Sequence, residues 1–208
     1  MKKNILLLLV ILTFSKGNLY SQMDGSLSWD YFTAGNDKMD IDDFQGAIQD
    51  FTNAIEFDSN DFTIYENRAR CKIYIGDARG ALLDFNESIR IEPMNPTGYL
   101  GKADVQCILG NYKEAIQNYS KSIEVDSKFS VAYFQRGVLN FALGEFDNAL
   151  EDFNMAIELD PFYFEAYYLR AQVNERKNNL SSACVDFKCA PSHGVQEALI
   201  FVVQNCKE

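Results

Sequence analysis

The chain has 208 residues, of which 30 are acidic and 19 are basic, so its formal net charge is −11. An acidic surface repels the phosphate backbone, and binding to nucleic acid is therefore disfavoured. The single histidine, His193, lies in a Pro-Ser-His-Gly segment, and no serine or cysteine nucleophile occupies a position of the repeat pattern near it. These features argue against a nucleic-acid-binding protein, and we expect the chain not to be an enzyme.

The first 21 residues have the pattern of a secretory signal peptide. Two lysines precede an apolar run over residues 5–14, and small and polar residues follow it. The run is too short to span a bilayer as a helix, which needs about 20 apolar residues. Cleavage after Gly17 and cleavage after Ser21 both fit the sequence, and we favour Ser21 because the repeats described below begin at residue 28. An uncleaved anchor is the alternative.

No cysteine that could carry a lipid anchor lies at the predicted cleavage point, because the first cysteine of the chain is Cys71. We therefore expect a soluble periplasmic or secreted protein that meets a membrane only by association. Removal of Lys2, Lys3 and Lys16 with the signal would lower the net charge from −11 to −14.

From residue 28 onward the sequence repeats with a period of 34 residues. Three columns keep this register: a tyrosine, an alanine, and an aromatic residue four places after each alanine, which is one helical turn. Their members are Tyr31, Tyr65, Tyr99, Tyr133 and Tyr167, then Ala47, Ala81, Ala115, Ala149 and Ala183, and finally Phe51, Phe85, Tyr119, Phe153 and Phe187.

Residues 130–163 show most clearly what one repeat folds into. Apolar residues recur there at helical spacing up to Leu143, where Gly144 supplies a break. A second apolar stripe begins near Asp147, and Pro161 ends it, because proline disfavours a helical residue before it. Each repeat is therefore predicted to be a helical hairpin.

These residues resemble the tetratricopeptide repeat (TPR) family, whose 34-residue unit has small residues at positions 8, 20 and 27, aromatics at positions 4, 11, 17 and 24, and proline at position 32. Position 8 reads Gly35, Ala69, Ala103, Gly137 and Ala171, and position 27 reads Ala54, Ser88, Ser122, Ala156 and Ala190. The resemblance implies an all-α, right-handed TPR solenoid of five helix-turn-helix hairpins plus a C-terminal capping helix. The expected segments are a signal peptide (1–21), a linker (22–27), four repeats (28–61, 62–95, 96–129, 130–163), a degenerate fifth repeat (164–194) and the capping helix (195–208).

Opposite charges recur at repeat positions 7 and 23. Position 7 holds Arg68, Arg136 and Arg170, with Ala34 in the first repeat, while Asp occupies position 23 in four of the five repeats. Two pairings are open: Arg with the Asp of its own repeat, or Arg with the Asp of the preceding repeat. The second explains Ala34 better, because the first repeat has no predecessor. Both are interpreted as structural rather than as a binding site.

The C-terminal tail is predicted to contain a disulfide. A helical stripe after Gly194 indicates a helix folded back over the fifth repeat, and Cys184 and Cys206 lie at equal distances from its start at residue 195. The tail also resembles the ends of exported bacterial TPR proteins, in which two cysteines bracket a final helix. Cys71 and Cys107 are expected to be buried thiols, and Cys189 is left undecided.

No metal or cofactor is expected. The cluster Asp37, Asp40, Asp42 and Asp43 suggests calcium, but Gly46 and Phe51 do not fit the spacing of an EF-hand loop. A solvated acidic turn is the simpler interpretation. We find no phosphate-binding loop, zinc motif or feature of a small-molecule substrate site.

In the TPR family the concave groove is lined by first-helix positions 2, 5, 9 and 12, and here eleven of the twenty side chains at these positions are apolar. The resemblance therefore implies a scaffold or adaptor that binds another envelope or secreted protein through a peptide or helix with apolar anchors and some Lys or Arg. The alternative is a structural subunit that self-associates. The groove residues so identified are Trp29, Phe32, Met39, Ile73, Leu100, Val131, Phe134, Val138, Phe141 and Tyr168.

Overall fold

A computed structural model describes residues 26–189 and 195–206, and for residues 195–199 it describes the backbone alone. The predicted signal peptide, most of the linker and the segment that contains Pro191 and His193 lie outside these residues. The chain divides into two compact units, one ending at Pro93 and the other beginning at Met94.

The described residues form helices and connecting turns, with no strand among them. In the first unit α1 covers residues 26–40 and is followed by α2 (Phe44–Phe57), α3 (Phe62–Tyr74) and α4 (Ala78–Ile91). The second unit contains α5 (Pro96–Ile108), α6 (Tyr112–Val125), α7 (Ser130–Ala142), α8 (Phe146–Leu159), α9 (Phe164–Arg176), α10 (Leu180–Cys189) and α11 (Val195–Asn205). The all-α fold of consecutive TPR hairpins with a C-terminal helix is thus confirmed.

Aspartate side chains cap the N-termini of α2 and α4. Asp43 accepts a hydrogen bond from Gly46 N at 2.9 Å, and Asp77 accepts one from Gly80 N at 2.9 Å. These caps satisfy backbone N–H groups that have no partner inside the helix. Pro96 occupies the first turn of α5, where a missing N–H costs little.

The turn inside each hairpin requires a left-handed residue. Gly76, Gly110 and Gly144 have φ of 82°, 77° and 80°, and Asp42 and Asn178 occupy the same place with φ of 60°. The next residue donates its backbone N–H to the carbonyl five residues earlier, in the helix that precedes the turn, as Glu145 N does to Asn140 O at 2.8 Å. This geometry reverses the chain within three residues.

Small residues against rings form the core of each hairpin. Phe51 and Phe153 have no exposed surface, and neither do Ala47, Ala54, Ala149 or Ala156. A Cβ built on Gly137 would lie 2.9 Å from Phe153 Cε1, closer than real contacts allow. The helices therefore approach as closely as the 34-residue pattern of small side chains requires.

Candidate binding surface

The apolar residues predicted to line the groove all lie on the first helices of the hairpins. In the first unit they are on α1 (Trp29, Phe32, Met39) and α3 (Ile73), and in the second on α5 (Leu100), α7 (Val131, Phe134, Val138, Phe141) and α9 (Tyr168). We call this surface the first-helix face of each unit. The two parts are described separately.

Rings at repeat position 5 contact the buried core. The Phe32 ring centroid lies 5.9 Å from that of Phe51, the Phe134 centroid 5.9 Å from Phe153, and the Tyr168 centroid 5.8 Å from Phe187. Each of these residues is half-buried. Packing between helices is thus a main role of position 5, as aromatic pairs at this distance stabilise a fold.

The helix α7 carries the longest apolar part of the face. Val131, Phe134, Val138 and Phe141 follow each other at spacings of three and four residues and stay partly exposed. The Phe134 ring centroid also lies 4.5 Å from that of Tyr163, and the guanidinium of Arg176 lies 4.5 Å from the Phe141 ring centroid. Val131, in contrast, is not part of the apolar core that Phe134, Val138 and Phe141 join.

In the first unit Trp29 is the most exposed of the predicted groove residues. Its side chain is 64% exposed, and its ring lies 5.6 Å from that of Phe32. Met39 and Phe32 pack against the core around Phe51, while Ile73 is half-buried. An exposed tryptophan beside a half-buried ring is typical of a surface that gains energy when a partner covers it.

Polar residues interrupt the face, and Glu66 and Asp104 are examples. Glu66, at position 5 of α3, is buried and accepts a hydrogen bond from Ser88 Oγ at 2.8 Å. Tyr119 donates to Asp104 Oδ1 at 2.7 Å, and burial together with Asp104 raises the pKa of the Tyr119 hydroxyl. Both side chains act in packing between the helices of a hairpin.

At the C-terminal end, α11 extends the first-helix face beyond α9. Phe201 packs on Phe187 at 4.7 Å, so α11 covers α10 where the first helix of a further hairpin would lie. A cavity of about 360 Å³ lies between Tyr168, Gln172 and Glu175 of α9 and residues 200–205 of α11. The face thus ends in a pocket of mixed polarity.

A larger cavity, of about 630 Å³, is lined by none of the predicted groove residues. Lys113, Glu145, Glu151 and the Arg136–Asp152 pair line it. Its walls carry charges of both signs that include a bidentate ion pair of the fold, so we assign the candidate binding surface to the more apolar first-helix face.

The charge column at positions 7 and 23 forms ion pairs within hairpins. Arg68 binds Asp84, Arg136 binds Asp152 and Arg170 binds Asp186, with closest N–O distances of 2.7, 2.7 and 2.6 Å. The pairing is therefore within each repeat, the first of the two alternatives. In the first hairpin, where Ala34 replaces the arginine, Lys38 Nζ lies 2.7 Å from Asp50.

Each of these arginines also reaches the preceding hairpin. Arg68 Nη1 donates to Thr52 at 3.1 Å, Arg136 Nη1 to Ser120 at 2.8 Å, and Arg170 Nη1 to Asn154 at 2.6 Å. The acceptors all occupy repeat position 25, a polar column that is visible in the sequence but that we did not predict to be involved. One guanidinium therefore connects three helices.

Polar residues at repeat position 11 support the same aspartates. Lys72 Nζ lies 2.7 Å from Asp84, and Asn140 donates to Asp152 at 3.0 Å. The family pattern has an aromatic residue at this position, and the departure is explained by the buried carboxylate that needs a donor. This role was not predicted from the sequence either.

The tail contains a disulfide between Cys184 and Cys206, whose Cα atoms are 5.7 Å apart. Cys71 is buried, Cys107 is half-buried and Cys189 is exposed. Burial raises the pKa of the Cys71 thiol to about 11 and also raises that of Cys107.

Within residues 26–189 and 195–206, no three His, Cys, Asp or Glu side chains come together as a metal site. None of the helices in the described part of the chain has the length and apolar character needed to cross a membrane.

Two family profiles match the second unit. The tetratricopeptide repeat profile matches residues 130–163, and a TPR repeat profile matches residues 103–144. No curated protein sequence matches the chain.

Solved structures with a similar fold are TPR proteins or share their architecture. PilF of Pseudomonas aeruginosa superposes with a TM-score of 0.77 at 14% identity, over 86% of this chain and 82% of its own. YrrB, described as a TPR protein with an unusual peptide-binding site, gives 0.61 at 21% identity over 83% and 88%. MamA gives 0.68 at 21% identity over 84% and 96%. Residues 103–163 therefore contain tetratricopeptide repeats, and the structural matches together with the hairpins described above show that the chain has the fold of TPR proteins.

Proposed function

We propose that the protein is an exported, non-catalytic scaffold or adaptor that binds a peptide or helix of another envelope or secreted protein along its first-helix face. The observation that carries this proposal is the apolar stripe on α7, which stays partly exposed although its neighbours pack into the core. Stacked hairpins present such a face as an extended surface for macromolecules.

The chemistry of the face indicates the chemistry of the partner. Val131 and Trp29 offer apolar surface that would be buried by aliphatic or aromatic anchors. The net charge of −11 favours a partner segment that also carries Lys or Arg, because opposite charge speeds the encounter. A structural relative, YrrB, is described by its peptide-binding site, which is compatible with this mode.

Export is supported by two independent features. The segment before residue 22 has the pattern of a secretory signal, and the Cys184–Cys206 disulfide suits an oxidising compartment. A periplasmic or secreted location would place the protein among other envelope proteins.

Site-specific photo-crosslinking in the source cell tests the proposal. A photoreactive residue at position 131 should yield an adduct with a partner protein, whereas the same residue at position 185, exposed on α10, should not. V131D should prevent co-purification of that partner, and V185D, an equivalent change on the other side, should leave it intact. Equal adducts from both positions, or none from position 131, would exclude the first-helix face.

Self-association as a structural subunit is the second candidate, and one observation favours it. Val203 on α11 is 83% exposed, and Val185 on α10 is 62% exposed, so the C-terminal end presents apolar side chains to solvent. An end that packs against a second copy would bury them. The mass of the free protein, measured by light scattering, distinguishes this function from the first.

A further inference from the structure

A second apolar surface lies at the turns inside the two hairpins of the first unit. Ile41 is 75% exposed, Tyr74 69% and Ile75 46%, although turn residues of a soluble protein are mostly polar. The rings of Phe44 and Tyr74 stack at 4.3 Å with an interplanar angle of 6°, which brings the two turns together. We call Ile41, Tyr74 and Ile75 the turn edge.

Negative charge surrounds the turn edge. Asp37, Asp40, Asp42, Asp43 and Asp77 are all exposed within residues 37–43 and 74–79. Two nearby cations are engaged elsewhere, because Lys38 Nζ lies 2.7 Å from Asp50 and Lys72 Nζ lies 2.7 Å from Asp84. Arg79 is the remaining basic residue in these two segments. The edge therefore combines apolar side chains with a carboxylate rim.

The turn between α5 and α6 in the second unit has apolar residues without an acidic rim. Ile108 and Leu109 are exposed there, at 58% and 36%, but the adjoining charged residues are one base and one acid, Lys113 and Glu114. This turn therefore supplies a matched comparison for the turn edge, whereas the α7–α8 turn exposes Leu143 beside Glu145 and Asp147.

We propose that the turn edge binds a basic amphipathic helix of a partner protein, as a docking surface separate from the first-helix face. Apolar side chains of that helix would cover Ile41, Tyr74 and Ile75, and its Lys or Arg residues would meet the aspartates. A second copy of the same edge fits poorly, because five carboxylates would face five others. The same repulsion disfavours nucleic acid and anionic membranes.

The test uses a synthetic 14-residue helix with leucine on one face and lysine on the other, titrated into the ¹⁵N-labelled protein at about 0.15 M salt, where long-range attraction is screened. We expect amide shifts centred on residues 39–44 and 73–77. The I41S/I75S variant, which keeps Tyr74 and every carboxylate, should bind roughly tenfold more weakly, because two apolar anchors are lost. D40N/D42N should weaken binding as well, and I108S/L109S should not change it.

Several results would overturn the proposal. Unchanged affinity of I41S/I75S would mean that charge alone attracts the peptide, and absence of binding would remove the surface altogether. Shifts confined to α7 and α9 would assign the peptide to the first-helix face and so support the proposed function while refuting this one. If the free protein forms a dimer and the I41S/I75S substitutions dissociate it, the turn edge binds a second copy of the chain and not a partner helix.

Discussion

At the scale of single residues, the arginines at repeat position 7 matter most for stability. Arg136 binds Asp152 through two nitrogens and also donates to Ser120 of the preceding hairpin. Asp152 is almost fully buried, so removing its partner would leave a carboxylate with only Asn140 as donor. Breaking such a pair costs far more than forming it contributes, because the remaining charge stays in a poorly hydrated place.

The variant R136A is therefore expected to lower the free energy of unfolding by about 3 kcal/mol. K121A is the matched control: Lys121 also pairs with an acid, Glu124, at 2.8 Å, but both side chains are more than half exposed, and such pairs contribute less than about 1 kcal/mol. Urea denaturation followed by circular dichroism measures both. Similar losses in the two variants would contradict the structural role of the buried pair.

The alanine column makes a second prediction at this scale. Ala149 is fully buried in the same core as Phe153, so A149L should destabilise by about 1–3 kcal/mol and lower the melting temperature. The same substitution at Ala142, which is exposed at the end of α7, should have little effect. A melting temperature of A149L equal to the wild type would show that the helices can move apart there.

At the scale of helices, the hairpins could be predicted because residues that recur every 34 positions mark both helices of each repeat. Together they fix where each helix lies in the sequence. The partner of Arg68 could not be predicted, since Asp84 follows it by 16 residues and Asp50, at position 23 of the preceding repeat, lies 18 residues before it. Periodicity cannot distinguish these two aspartates, whereas the packing of α3 on α4 can. Likewise, Val131 and Phe134 belong to one apolar stripe, and only the structure shows that Phe134 packs on Phe153.

The capping helix α11 provides a prediction about thiols. If Cys184 and Cys206 are joined, the unfolded, unreduced protein should show three free thiols, and five would exclude the bond.

In the native protein at pH 8, Cys189 should react first, because it is exposed. Cys71 should be slow, since burial raises its pKa to about 11 and so lowers the thiolate fraction. The Cys184–Cys206 disulfide closes a loop in the chain and should therefore stabilise the folded protein by about 3 kcal/mol. The C184S variant should lose this contribution to the free energy of unfolding.

At the scale of the whole molecule, net charge opposes self-association. Copies of the exported chain, which would lose Lys2, Lys3 and Lys16 with the signal and so carry a charge of −14, repel each other at low ionic strength. Salt screens that repulsion over about 10 Å at 0.1 M. An adaptor that binds a different, basic protein does not have to overcome this repulsion between its own copies. A structural subunit would have to bury enough apolar surface, such as Val203 and Val185, to do so.

We therefore expect light scattering to show a monomer at about 10 µM in low salt, because no favourable charge term is available to a second copy. If a dimer forms only above about 0.5 M salt and V203D dissociates it, the C-terminal end is a weak contact that the repulsion normally prevents. A stable oligomer at low salt would contradict the adaptor function and favour the structural subunit. Repeating that measurement with V131D and V203D would then show which face holds the copies together, because only the substitution inside the interface should restore the monomer.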